Sequence, residues 1–374
     1  MMINYQMKLF NKTLMVCAAL LSSASLTFAQ EADSQAWLKD LSSRITISGF
    51  IQGGYTATHQ NGKNTNGWDM KRAIIIGRAR VTDRWSFFVM HDLSSVLQEF
   101  YTDFRLTKDK SINVRFGQFK TALSIENSIA PPLLELVDVC SQPVTYLAGC
   151  GSDPLYGINY GRDMGVDIYG ELFGGKLLYD VEVMNGRGVN KRDEDNKKDV
   201  IVRLDYRPVE GLRLVASAQK GYGTAFMAND FVSSVYLPAE NAIAKGETYR
   251  RDRWTLGFEY KQGNNDYWKK RSTTLRGEIL GGRDGKTNSW GGYLTASVPL
   301  AGQFDVVASY DYFNYAKGYN HDRTQLVVGL QYWFFRRCRF QAQYTWSDTS
   351  TLGLNGAWLE KPMSRLQLQT QIAF

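Results

Sequence analysis

The chain has 374 residues, of which 44% are hydrophobic, 13% aromatic and 22% charged, and its net charge at pH 7 is +7. Because 37 acids accompany the 44 lysines and arginines, this modest basic excess does not indicate a nucleic-acid-binding protein. After residue 29 the chain contains no run of about 20 apolar residues, which excludes a helical membrane span from that part of the sequence.

The first 29 residues read as a secretory signal peptide. They carry two lysines, an apolar stretch from Leu14 to Leu21, and small residues that lead to Ala29. This order is typical of a cleavable signal, so we expect residues 1–29 to be removed. The following residues 30–43 are predicted to be a short periplasmic segment. Export without a helical anchor leaves the periplasm, the outer membrane or the exterior as the location.

Sixteen segments after residue 43 alternate apolar and polar residues with a period of two, as strands do when one face contacts lipid and the other water. The predicted strands are 44–58, 69–82, 85–93, 97–106, 111–120, 162–172, 176–185, 199–207, 211–220, 253–261, 271–280, 290–299, 303–313, 322–334, 338–346 and 363–374. Connections after even-numbered strands are mostly short and those after odd-numbered strands mostly long, as in bacterial outer-membrane barrels. We therefore predict an all-β fold, a transmembrane antiparallel β-barrel of about sixteen strands covering residues 44–374.

Two further features support a barrel in the outer membrane of a Gram-negative bacterium. All eight prolines fall in connections or at strand ends, where the missing N–H breaks no central ladder. The chain ends on Phe374, and a terminal aromatic resembles the signal that barrel-insertion machinery reads during assembly. A soluble β-sandwich is the alternative fold, but it would have no use for outward aromatics at strand ends. Outer-membrane lipid is thus an expected partner, and nucleic acid is not.

Strand alternation predicts which charges face the lumen, since an arginine turned to lipid costs about 2–4 kcal/mol at the midplane. The predicted inward basic residues are Arg72, Arg78, Arg80, Arg105, Arg115, Arg203, Arg207, Arg213, Arg276, Arg339 and Arg365. The predicted inward acids are Asp103, Asp167, Asp205, Glu259, Glu278, Asp305 and Asp311. On the second strand, Ile74 and Ile76 share the inner face with arginines, so we expect them to pack under a loop.

Residues 121–161 form the longest connection and are too apolar for a solvated loop. Leu134, Leu136 and Val137 belong to this segment, which needs a packing or functional reason for its length. We predict that it folds into the barrel as a constriction loop. Within it, Cys140 and Cys150 form a candidate disulfide, worth about 3 kcal/mol by chain entropy, with two free thiols as the alternative.

Several motifs resemble the phosphate-selective porin O and P family. They are Lys71-Arg72-Ala73 with Arg78-Ala79-Arg80, Val114-Arg115-Phe116-Gly117-Gln118-Phe119-Lys120-Thr121, Arg162-Asp163-Met164-Gly165-Val166, and Met184-Asn185-Gly186-Arg187-Gly188-Val189-Asn190. The resemblance covers most of the mature chain and implies a sixteen-stranded outer-membrane porin, a homotrimer, and an inward-folded third loop. It also implies that basic residues of this loop and of the adjacent wall bind phosphate or polyphosphate.

The sequence departs from that family in the constriction loop. Residues 121–161 contain no lysine or arginine and instead carry the acids Glu126, Glu135, Asp138 and Asp153. The proposed pore-lining basic residues are Arg72, Arg78, Arg80, Arg105, Arg115, Lys120 and Arg365. We therefore expect a general porin for passive diffusion of small hydrophilic solutes or ions, including anions such as phosphate, with acids on one side of the constriction and cations on the other.

Other chemistry has little support in the sequence. His91 beside Asp92, with Ser94 nearby, is the only arrangement that suggests a hydrolase, and it is more simply a polar strand end. The acidic run 193–195 is flanked by basic residues, so we expect a solvated loop and no metal or cofactor. The non-enzymatic alternative to a porin is a binding or assembly-partner barrel without significant conductance.

Overall fold

The structure is a computed structural model that describes residues 40, 42–153, 155, 157–225, 237, 239–262, 271–319, 321–349 and 362–374. The predicted signal peptide lies outside the described residues. The chain divides into a short unit that ends at Thr46 and a body of residues 47–374. In the short unit, Arg44 forms an ion pair with Asp40, with 3.0 Å between nitrogen and oxygen.

Sixteen antiparallel strands close into a barrel, which confirms the predicted fold class. The strands are β1 (Ile45–Gln60), β2 (Lys63–Arg80), β3 (Trp85–Asp92), β4 (Leu97–Arg105), β5 (Asn113–Lys120), β6 (Arg162–Leu172), β7 (Leu177–Met184), β8 (Asp199–Val209), β9 (Leu212–Lys220), β10 (Thr248–Lys261), β11 (Thr274–Asp284), β12 (Thr287–Pro299), β13 (Phe304–Asn314), β14 (Asp322–Phe335), β15 (Cys338–Thr349) and β16 (Met363–Ala373). A short strand, Tyr222–Thr224, continues β9 along β10. The barrel closes where β1 pairs with β16, from Phe50 opposite Ala373 to Gln60 opposite Met363.

The last strand shows the alternation on which the barrel prediction depends. Leu366, Leu368 and Ile372 are exposed on the outer surface, whereas Gln367 and Gln371 are buried on the inner side. The same division holds around the wall, where apolar side chains such as Leu256 and Val328 are exposed outside. This leaves the polar faces of the strands to line the lumen.

Strand length differs sharply around the barrel. The strands β3, β4 and β5 have only eight, nine and eight residues, whereas β2 has eighteen. The pairing of β2 with β3 begins only at Ile74 opposite Asp92, so residues 63–73 extend beyond β3. The wall is therefore low where these three short strands lie side by side, and strands β2 to β5 together are called here the low wall.

The inward isoleucines of β2 are covered by other wall residues. Ile74 is buried in a cluster with Phe50, Phe88 and Met90, and Ile76 packs against this cluster. Their apolar partners in this cluster are therefore wall residues, among them side chains of β1 and β3, where the sequence predicted loop residues.

Among the described residues, helical structure is limited to short segments. Within residues 121–161 these are α1 (Ile125–Ser128), a 3-10 turn at Pro131–Leu133 and α2 (Gln142–Leu147), and a second 3-10 turn spans Ala239–Asn241. Among the described residues, no helix has the length and apolar character needed to cross a bilayer.

Candidate functional site: the lumen and its constriction loop

The segment between β5 and β6 folds into the barrel, as predicted, and packs across it. Leu123, Val144 and Leu147 lie in one buried cluster with wall residues, among them Met184 of β7 and Phe313 of β13. Further along, Leu134 joins a cluster with Val215 of β9, and Leu136 joins one with Val307 and Val327. This segment is called here the constriction loop. Its apolar residues are buried against strands β7 to β15, called here the far wall.

Polar contacts fix the middle of the constriction loop to that wall. The guanidinium of Arg276 donates to both carboxylate oxygens of Glu135, at 2.8 and 3.3 Å, and to Glu259 at 2.6 Å. Gln341 and Gln343 donate to the backbone carbonyl of Glu135. Since Arg276 is fully buried, this ion pair is part of the packed interior and does not face a solute path.

Asp138 is held by a second set of donors. Its carboxylate forms an ion pair with Arg365, accepts a hydrogen bond from Gln367 at 2.8 Å, and lies 3.5 Å from the ammonium of Lys71. One third of the Asp138 side chain is exposed. Burial alone would raise the pKa of Asp138, but Arg365 and Lys71 hold it below the usual value. Asp138 is therefore a charged group that solvent can reach.

Lys71 is a lumen residue that strand alternation missed. It reaches Asp138, while the next residue, Arg72, donates to Gln52 at 3.0 Å on the inner wall. Two successive side chains on one face break the alternation of a regular strand, as happens at a β-bulge. The only sequence signal was the resemblance motif at residues 71–73, because regular alternation assigns Lys71 to the outer face.

Glu126 lies inside the constriction loop itself. One of its carboxylate oxygens accepts hydrogen bonds from the backbone N–H and the hydroxyl of Ser141, at 2.8 and 3.0 Å. Only 1% of Glu126 is exposed, and this burial raises its pKa to about 8. The carboxyl is therefore largely protonated at pH 7.

These placements correct the expected negative side of the constriction. Glu126 and Glu135 are buried, 1% and 7% exposed, and neither presents a carboxylate to a passing solute. Of these three acids only Asp138 is accessible, and it is paired with cations. The packing of the loop therefore buries two of its own carboxyl groups, which the sequence alone did not reveal.

The low wall carries most of the predicted pore-lining cations. Arg72, Arg78 and Arg80 lie on β2, Arg105 lies on β4, and Arg115 and Lys120 lie on β5. Arg115 pairs with Asp103 at 2.8 Å, and Lys120 donates to the carbonyl of Ile129 at 2.7 Å. Among the described residues, Arg72, Arg78, Arg80 and Arg105 have no carboxylate within ion-pair distance.

Arg78 and Arg115 are stacked in a row of side chains that crosses the low wall. Arg78 lies over the ring of Phe88, 5.0 Å from its centroid, and Phe88 stacks on Tyr101 at 4.7 Å. Arg115 covers the other side of this pair, 4.4 Å from the centroid of Tyr101. Stacking holds both guanidinium groups in place, while the N–H groups of Arg115 donate to Asp103 and those of Arg78 meet no carboxylate among the described residues.

The predicted disulfide is not formed in the structure. Cys140, Cys150 and Cys338 are all free thiols. Cys150 donates to the side-chain oxygen of Asn127 at 3.3 Å, and Cys140 is buried. The alternative of two free thiols is thus the one observed.

The remaining candidate sites have simple structural explanations. Ser94 donates to Asp92 at 2.7 Å, and no hydrogen bond in the described part of the chain joins either residue to His91. The nucleophile–base contact of a Ser-His-Asp site is therefore missing. In the acidic run, Asp193 pairs with Lys198, and Glu194 with Arg187. Within the described ranges, no three His, Cys, Asp or Glu side chains could together hold a metal.

The chain is similar in fold to several solved outer-membrane proteins. An anion-selective porin from Comamonas acidovorans aligns with a TM-score of 0.59 and 15% identity, covering 88% of this chain and 99% of that one. OprB of Pseudomonas putida aligns with a TM-score of 0.63 and 10% identity, covering 92% and 96%. OmpT, an outer membrane protein of Vibrio cholerae in a trimer form, aligns with a TM-score of 0.58 and 13% identity, covering 88% and 99%.

No protein-family model matches the chain, and no curated protein matches it by sequence. Identities of 10 to 15% relate these proteins by fold. The barrel, its exposed apolar outer face and these neighbours fit an outer-membrane protein of a Gram-negative bacterium.

Proposed function

We propose that this protein is an outer-membrane channel that lets small hydrophilic solutes diffuse passively and that favours anions over cations. A closed barrel with a polar interior supports a channel, and the sixteen strands are the number found in porins of this fold. The anion preference is the narrower part of the proposal, and it depends on the charges that remain accessible once the constriction loop is packed.

The observation that carries the anion preference is the imbalance of unpaired charge. Glu126 is largely protonated, Glu135 is buried with Arg276, and Asp138 is paired with Arg365. On the low wall, four arginines have no carboxylate partner among the described residues: Arg72, Arg78, Arg80 and Arg105. Fixed positive charge along a narrow aqueous path raises the local concentration of anions and repels cations.

Planar-bilayer recording tests this proposal. The purified protein should give discrete conductance steps, and in a potassium chloride gradient its reversal potential should lie toward that of chloride. A reversal potential toward that of potassium would contradict the anion preference. An absence of steps from folded protein would instead favour a binding or assembly-partner barrel.

Phosphate selectivity of the porin O and P type is a further refinement of the same proposal. Its support is the resemblance of the motifs around residues 71–80 and 114–121, together with the basic low wall. We expect added phosphate to reduce the chloride current through single channels. An unchanged chloride current at high phosphate would contradict phosphate selectivity and would support a general anion channel.

We also propose a homotrimer. The short strands β3 to β5 of the low wall offer a side where neighbouring barrels can approach, and their outer surface carries exposed Phe100, Phe104 and Phe116. The similar OmpT structure from Vibrio cholerae is described in a trimer form. Chemical crosslinking in mild detergent should give a limiting species of three chains, and a limiting monomer would overturn this part.

A further inference from the structure

We propose that Lys71, Arg365 and Gln367 form a subsite for a small carboxylate solute, and that the Asp138 carboxylate occupies this subsite as a tethered competitor. This inference rests on the proposed channel function and names one place in the channel where an anion would be held. Asp138 would thereby lower the affinity of the channel for the anions that it conducts.

The donor set around Asp138 is of the kind that binds a carboxylate. Arg365 contributes a guanidinium, Gln367 an amide N–H 2.8 Å from one oxygen, and Lys71 an ammonium 3.5 Å from the same oxygen. Hydrogen bonds from cations to carboxylates are stronger than those between neutral groups. The group that satisfies these donors in the structure is the carboxylate of Asp138, which the constriction loop carries.

The Asp138 site differs in solvent exposure from the Glu135 site, where an arginine also binds a carboxylate of the loop. The Arg276–Glu135 pair is 0% and 9% exposed at its side chains, whereas Arg365, Lys71 and Asp138 are 19%, 16% and 33% exposed. A solute anion can therefore reach the Asp138 site without unpacking the loop. Exposure also weakens the tethered pair, because solvent screens it.

Competition by a tethered group has a physical consequence for transport. A channel conducts well only if a site attracts the solute but releases it quickly. The Asp138 carboxylate beside Arg365 and Lys71 competes with each incoming anion for these donors, so a solute anion stays bound only briefly. Without the Asp138 carboxylate, the same donors would hold a free carboxylate longer, and the bound anion would obstruct the chloride current.

The experiment measures acetate block of the single-channel chloride current in wild type, Asp138→Ala and Asp109→Ala. Asp109 is a fully exposed turn residue that bonds Ser111, so its variant removes the same charge away from the site. We expect half-block of Asp138→Ala at an acetate concentration about tenfold lower than in wild type, equivalent to about 1.4 kcal/mol. Asp109→Ala should match wild type.

Two further variants secure the interpretation. Asp138→Asn keeps the side-chain volume and should show a smaller shift in the same direction, which covers the case in which the alanine variant does not fold. Asp138→Glu retains a carboxylate, so acetate should block its chloride current at the same concentration as in wild type. Phosphate in place of acetate distinguishes a general oxyanion site, with equal shifts for both ions, from the carboxylate site proposed here.

Identical acetate block in wild type and in Asp138→Asn would overturn the tethered-competitor proposal. That result is separable from failure of the channel proposal, since the wild-type reversal potential is measured in the same bilayers. A cation-selective or non-conducting wild type refutes the proposed function, whereas an anion-selective wild type with no effect of Asp138 refutes only this inference.

Discussion

The two sides of the lumen use arginine in opposite ways. On the far wall, Arg276 and Arg339 are buried and donate to the constriction loop, at Glu135 and at the carbonyl of Leu134. On the low wall, Arg78 and Arg80 meet no carboxylate among the described residues. The contrast shows that an inward arginine is not in itself a pore residue, because the packing of one loop decides which arginines a solute can meet.

The largest effect is expected from breaking the far-wall pair. Arg276→Ala leaves Glu135 buried without its cation and leaves Glu259 with Arg213 as a remaining partner, which should destabilise the barrel by about 3–5 kcal/mol. Denaturant unfolding in detergent, followed by tryptophan fluorescence, measures this loss. Arg80→Ala is the matched control, because Arg80 is exposed on the low wall and its loss should leave the midpoint unchanged. Equal destabilisation by both variants would erase the distinction between the two sides.

Neutralising the low wall should change selectivity without changing stability. Replacing Arg78, Arg80 and Arg105 together by glutamine removes three unpaired cations. Two unit charges 4 Å apart in water interact by about 1 kcal/mol, so each cation contributes roughly fivefold at close approach. We expect the ratio of chloride to potassium permeability, taken from reversal potentials, to fall by at least that factor. An unchanged ratio would mean that other groups set the selectivity.

Glu126 should make the stability of the barrel depend on pH. Its pKa in the folded protein is about 8, above the ordinary 4.5, so the folded state retains a proton that the unfolded chain loses. Stability from this group is therefore complete below about pH 4.5 and declines up to about pH 8, by at most about 1.4 kcal/mol per pH unit. Denaturation midpoints at pH 5 and pH 8 measure the decline, and Glu126→Gln should flatten it. A midpoint that rises with pH in both proteins would contradict this assignment.

The smallest effect concerns the thiols of the constriction loop. Burial raises the pKa of the Cys140 thiol, so little thiolate is available and the folded protein should react slowly with maleimide there. In denaturant without reductant, mass spectrometry should find adducts on Cys140, Cys150 and Cys338. A mass two hydrogens lower with only Cys338 labelled would reveal a bridge in the purified protein.

Much of the fold could be predicted because strand pattern is local. Alternation in the last strand predicted that Leu368 faces outward and Gln369 inward, and both do. The sixteen strands all occur, although β2 begins at Lys63 and β10 at Thr248, earlier than predicted. The start of β2 extends beyond β3, and the start of β10 pairs with the short strand Tyr222–Thr224. At both places no lipid-facing pattern marks the boundary of the strand.

The site was predicted less well because its chemistry depends on distant partners. Sequence placed Glu135 in the constriction loop but could not show that Arg276, 141 positions later, would bury its charge. The inward position of Lys71 could not be read from a pattern of period two, which assigns this residue to the outer face. Cys140 and Cys150 were close enough in sequence to be joined, yet α2 lies between them and both thiols are free.

The sequence by itself determined the barrel, since a period-two pattern leaves each strand one apolar and one polar face, and only closure satisfies every ladder in a membrane. Only the tertiary structure decided the charge of the lumen. A carboxylate counts toward the field of a channel when it is ionised and accessible, and for Glu126, Glu135 and Asp138 both conditions are set by contacts across the barrel.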